Sequence, residues 1–80
     1  MKPKVSKVKP LDNYRLKLTF TTNEEKIFDV KPYLNKGIFN ELKEPDIFYQ
    51  VRESLGSILW PNGQDFSSET LYEESIESEN

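Results

Sequence analysis

One stretch, Ile58 to Tyr72, constrains the fold more than any other: ILWPNGQDFSSETLY holds the single tryptophan, the strongest turn signal and the clearest helix start. Pro61 holds Trp60 in extended backbone and ends its strand, while Asn62 and Gly63 supply what a tight turn needs. A helix follows. Ser67 is a good N-cap, and Glu69 then falls in the first turn, where a carboxylate meets the positive end of the helix dipole. The upstream residues read as the sheet that this stretch closes. Trp60, Pro61, Asn62, Gly63 and Asp65 are its expected structural keystone, with Phe66 and Leu71 folded back over the indole.

The sheet itself is announced by period-2 alternation. Tyr14, Leu16, Leu18 and Phe20 alternate with Arg15, Lys17 and Thr19, the pattern of a strand with one buried and one wet face. Thr21 to Glu24 reads as a turn and Lys26 to Val30 as the partner strand, so residues 14–30 make an antiparallel hairpin. Val5 to Pro10 reads as a third strand that reaches the hairpin through Leu11-Asp12-Asn13, with its alternation broken at Val5.

From Pro32 the period changes. Ile38, Phe39 and Leu42 fall on one helical face, and Pro45 marks the end of that helix. Asp46-Ile47-Phe48 adds a further turn. Tyr49–Glu53 and Ser57–Trp60 then read as two short strands around Leu55-Gly56, before the terminal helix from Ser67. The expected class is α+β, one domain over residues 1–75, in the order βββαββα, with a mostly antiparallel sheet and helices packed on one face. Residues 76–80 are Glu, Ser and Asn with one Ile, which predicts a disordered acidic tail.

Composition narrows the function. With 80 residues and 12% aromatics there is room for one thin core, in which Tyr33, Phe39, Phe48 and Tyr49 are expected to take part. The chain has no cysteine and no histidine. The usual thiol nucleophile, general base and imidazole metal ligand are therefore missing, and a reducing compartment fits. No apolar run exceeds three residues, and Met1-Lys2-Pro3-Lys4 leads into none. Neither a membrane span nor a secretory leader is expected, and the cytoplasm is the default location.

Against this background the residues of several blocks resemble a known family, the bacterial domain of unknown function numbered 2442. The likeness runs from about Val5 to Tyr72. It rests on the Val-rich opening strand, Leu16-Lys17-Leu18-Thr19-Phe20, Phe28-Asp29-Val30-Lys31-Pro32 and the segment from Phe39 through Leu42 to Phe48. Its most specific block is Trp60-Pro61-Asn62-Gly63, followed by Asp65 and Leu71-Tyr72. Asn23-Glu24 stands where the family often has Asn-Gly, and Ser68 where a proline is frequent. The resemblance implies a small α+β fold without established enzymatic activity, sometimes fused to a helix-turn-helix domain or encoded beside another small protein. It implies a stand-alone adaptor or regulatory partner and transfers no catalytic residue.

Three features remain as candidate sites. Asp65 and Glu69, four apart, have the chemistry for a hard cation, but Asp65 reads as a turn and capping group; no metal or cofactor is expected. Asp29 reads as a carboxylate that bonds the turn before Pro32. The third is a basic stripe. Lys7, Lys9, Arg15 and Lys17 alternate with apolar residues and should project from one sheet face, whereas Glu69, Glu73, Glu74, Glu77 and Glu79 leave the last twelve residues acidic with no cation. Four cations suit a phosphate backbone, yet a one-sided sheet needs a solvated face in any case, and the chain is acidic, with net charge -3 and a pI near 4.9. The expected partner is another protein, with nucleic acid on the basic face as the alternative.

Overall fold

The computed structural model describes residues 2–77, apart from the side chain of Ile38. In it Val5–Leu11 (β1), Arg15–Phe20 (β2) and Glu25–Asp29 (β3) form an antiparallel sheet with β2 in the middle. The alternation of β2 sets its faces: Leu16, Leu18 and Phe20 are fully buried, and Arg15, Lys17 and Thr19 face the other way. The broken alternation at Val5 has a physical cause. Val5 pairs with Phe20 and Lys7 with Thr19, so two residues of β1 oppose one of β2, and the bulge at Ser6 brings Val5 and Val8 to the same face.

A second antiparallel sheet contains Arg52–Ser54 (β4), Ser57–Leu59 (β5) and Asp65–Phe66 (β6). Leu55 and Gly56, at φ 53° and 82°, make the two-residue turn between β4 and β5, of the kind with positive φ at both central positions. The turn after Trp60 is a three-residue hairpin loop. The Gly63 amide donates to the Trp60 carbonyl at 2.9 Å, the Trp60 amide donates to the Gln64 carbonyl at 2.9 Å, and Gly63 takes φ 90°. The chain therefore returns as β6 before its helix, a step that the sequence reading omitted. Asp65 is corrected accordingly: it stands on β6 opposite Leu59, not in a turn or cap.

Ser67 alone caps the last helix, Ser68–Glu74, accepting from the Thr70 amide at 3.1 Å. The expected helix before Pro45 forms as a 3-10 helix, Gly37–Lys43. Phe39 and Leu42 are three apart and share a side at either period, so their spacing does not separate the two helix types. Pro45–Phe48 (α1) adds one α-helical turn, and Ser68–Glu74 is α2. After α2, Ile76–Glu77 (β7) pairs with Ile27 and Lys26 and extends the first sheet to four strands in the order β1-β2-β3-β7. These two residues of the expected tail are thus a strand; residues 78–80 and the side chain of Ile38 lie outside the described residues.

The architecture is α+β, with two antiparallel sheets where the sequence suggested one. One peptide group joins them. The Lys4 carbonyl accepts from the Thr21 amide at 2.8 Å, and the Val5 amide on the same peptide donates to the Gly56 carbonyl at 2.9 Å. The core lies between the sheets and helices: Phe28 meets Phe66 edge-on at 4.9 Å, and Phe20 meets Tyr72 at 5.0 Å. The Cα radius of gyration, 11.6 Å, is that of one packed unit of this length. No helix among the described residues is long and apolar enough to cross a membrane.

Candidate functional site

Residues opposed across antiparallel strands share a face, so the register fixes what the outer side of the first sheet displays. Lys7, Thr19 and Glu25 form one row; Lys9, Lys17, Ile27 and Ile76 form the next; Leu11, Arg15 and Asp29 form the third. None of these side chains is buried. The four cations singled out in the sequence, Lys7, Lys9, Arg15 and Lys17, are therefore brought together on one open face. Between β1 and β2 runs a shallow groove of about 240 Å³ lined by Lys7, Val8, Lys9, Lys17, Thr19 and Glu25.

The charges on this face are unevenly engaged. Lys17 Nζ lies 3.4 Å from Glu25 Oε1, and Asp29 Oδ1 is held at 3.1 Å by Lys31 Nζ and at 3.0 Å by the Lys31 amide. Asp29 thus bonds the turn before Pro32. Arg15 Nε reaches only a backbone carbonyl, that of Asp12, at 3.4 Å. Lys7 and Lys9 enter no ion pair among the described residues. Four cations against two carboxylates make this face positive on a chain whose net charge is negative.

Three apolar side chains on the face were missed in the sequence, Leu11, Ile27 and Ile76. Ile27 lies directly across from Ile76, and Ile76 is 69% exposed. Ile27 had a signal: the hairpin pairs odd residues with odd, so position 27 faces outward with Arg15 and Lys17. Ile76 had none, because a two-residue strand carries no period.

The keystone residues sit elsewhere, with Trp60 buried and Pro61, Gly63 and Asp65 exposed around it. Trp60 is 1% exposed, its indole flanked by Phe48 at 6.2 Å and Phe66 at 5.9 Å, and its Nε1–H donates to the Phe48 carbonyl at 3.0 Å. Leu71 belongs to the same buried cluster. Asn62 Oδ1 accepts from the Gln64 amide at 3.0 Å and its Nδ2 donates to Glu41 at 2.9 Å, which ties the Pro61-Asn62-Gly63 loop to the 3-10 helix. Of the aromatics assigned to the core, Phe48 is buried, Tyr33 and Phe39 pack against it, and Tyr49 is half exposed. Among the described residues no three carboxylates come together, Asp65 and Glu69 included.

Groups with displaced proton affinities belong to the packing of α2. Hydrogen bonds from the Thr22 and Tyr72 hydroxyls hold Glu24 below the usual carboxylate range. The same Glu24 pushes Tyr72 up, and Glu74, accepting from the Tyr33 hydroxyl, pushes Tyr33 up to about 12. Lys26 completes this edge. Its Nζ lies 4.0 Å from the centre of the Tyr72 ring and donates to the Tyr72 carbonyl at 2.9 Å.

Comparison with known proteins agrees with the likeness read in the sequence. A family model described as "Protein of unknown function (DUF2442)" matches residues 5–77. No curated protein and no solved structure matches the chain.

Proposed function

The chain belongs to the DUF2442 family of proteins of unknown function, and from that premise we propose that it is a non-enzymatic protein-interaction or regulatory module of the cytoplasm, the small partner of a two-gene pair. The observation that carries this reading is the open outer face of the four-stranded sheet, where Lys7, Lys9, Arg15 and Lys17 lie beside the half-buried Ile27 and the exposed Ile76. A face that sets the cations Lys7 and Lys9 near an exposed Ile76 and a half-buried Ile27 is suited to a protein surface. The displaced titrating groups speak against a catalytic role: Glu24 with Tyr72, and Tyr33 with Glu74, are engaged with each other in holding α2 to the β2–β3 turn and to the 3-10 turn Lys31–Tyr33.

The alternative, nucleic acid on the same face, is favoured by the same four cations. One experiment separates the readings. The protein and its Lys9→Glu/Lys17→Glu variant are used to capture ligands from host extract, with and without nuclease. A protein retained by wild type and lost from the variant, indifferent to nuclease, is the expected result. Identical capture by both forms would remove this face as the interaction surface, and nuclease-sensitive retention would promote nucleic acid.

A further inference from the structure

The outer face is divided, and the division specifies what fits it. Lys7 and Lys9 on β1, with Arg15 and Lys17 on β2, occupy one half beside Leu11, while Ile27 on β3, flanked by the ion-paired Glu25 and Asp29, and Ile76 on β7 are cross-strand neighbours in the other. Neighbouring strands lie about 4.8 Å apart, so the row Lys9, Lys17, Ile27, Ile76 crosses the sheet in about 14 Å. A helical segment of about ten residues spans that distance.

We propose that this face docks an acidic, amphipathic segment of another protein, laid across the strands, with its carboxylates on Lys7, Lys9, Arg15 and Lys17 and an apolar side chain on Ile27 and Ile76. This rests on the reading of the face as the interaction surface and adds the chemistry of the partner. The sign follows from charge. Glu25 and Asp29 are already engaged by Lys17 and Lys31, so the unpaired charge on the face is that of Lys7 and Lys9. The apolar pair favours protein over nucleic acid. Ile27 and Ile76 gain nothing beside phosphates, and no side chain of the three rows is aromatic, so bases have no stacking platform. A second copy of the chain is a poorer occupant, because two acids of its α2 are engaged within their own chain, Glu73 with Lys2 at 3.2 Å and Glu74 with Tyr33.

The test is a titration of ¹⁵N-labelled protein with a designed peptide of about 14 residues that carries glutamates with leucines on one helical face. Amide shifts are expected along β1, β2 and β3 and at Ile76. Affinity is expected to fall at least about tenfold when the peptide glutamates become glutamine or its leucines serine, and likewise in the Lys9→Glu/Lys17→Glu and Ile27→Ser proteins, whose spectra report whether they remain folded. Three results would overturn the proposal: binding of a single-stranded or duplex oligonucleotide as tight as that of the peptide, shifts on this face that depend on protein concentration alone, or no shift at about millimolar peptide. A host protein captured through this face by a segment without carboxylates would overturn the partner chemistry and leave the interaction reading standing. Equal capture by wild type and the charge-reversed variant would remove both.

Discussion

The indole Nε1–H of Trp60 donates to the carbonyl of Phe48 at 3.0 Å, which fastens the end of β5 to the last residue of α1. A side chain that is both the largest in the core and the donor to that carbonyl makes its replacement informative. Trp60→Ala removes the packing and the shorter of two bonds to the Phe48 carbonyl, which keeps only the Val51 amide at 3.3 Å, a loss of about 3 to 5 kcal/mol against a margin of about 5 kcal/mol for a domain of this size. The variant is expected to be largely unfolded at room temperature in urea titrations, and the native tryptophan emission to be that of a dry indole. Water-like emission together with an unshifted Trp60→Ala transition would remove the keystone role.

Lys26 clamps α2 by two contacts to one residue, over the Tyr72 ring and onto the Tyr72 carbonyl. Lys26→Met keeps most of the stem and loses both, so a destabilisation of about 1 to 2 kcal/mol is expected by chemical denaturation. Lys7→Met, on the open face, is the control, with a change within about 0.5 kcal/mol. Equal losses in the two variants would show that the clamp contributes nothing of its own.

Alkaline stability should follow Tyr33. Its folded value of about 12 lies above the ordinary tyrosine value near 10, so the folded state holds the proton more tightly than the unfolded chain. The stabilisation from its bond to Glu74 is then complete below about pH 10 and is lost as pH rises through about 12. Melting temperature is expected to fall across that window and to fall less steeply in Tyr33→Phe, with Tyr72, also raised by its bond to Glu24, accounting for part of the remainder. A Tyr33→Phe profile parallel to wild type throughout would contradict this assignment.

Leu55 is 98% exposed at φ 53°, a conformation that disfavours a branched side chain and suits asparagine. Leu55→Asn is expected to stabilise the fold by up to about 1 kcal/mol and to raise the melting temperature by a few degrees. A lower melting temperature would mean that Leu55 packs in solution.

How far the sequence could be read depended on element length. The hairpin of β2 and β3 was legible because six alternating residues fix a face, and the last helix because Ser67 and Glu69 mark its start. Asp65–Phe66 and Ile76–Glu77 were not, since a two-residue strand is defined by its partner and not by its own pattern. The same limit hid the division into two sheets: β4, β5 and β6 never run longer than three residues. At the candidate site the four cations were read from alternation alone. Their apolar neighbour Ile76 became visible only once β7 was paired.

The peptide group between Lys4 and Val5 accepts from one sheet and donates to the other. Parting the sheets therefore breaks the bond from Val5 to Gly56 at one end of a peptide whose other end is held by Thr21, and the two lie as leaves on one spine. Hydrogen exchange at the Val5 and Thr21 amides is expected to be slower than at loop amides, which exchange by local fluctuation. Gly56 guards that spine. A Cβ there would stand 2.7 Å from Lys4 Cδ, at a φ of 82° that side chains resist, so substitution at this one turn would loosen both leaves together.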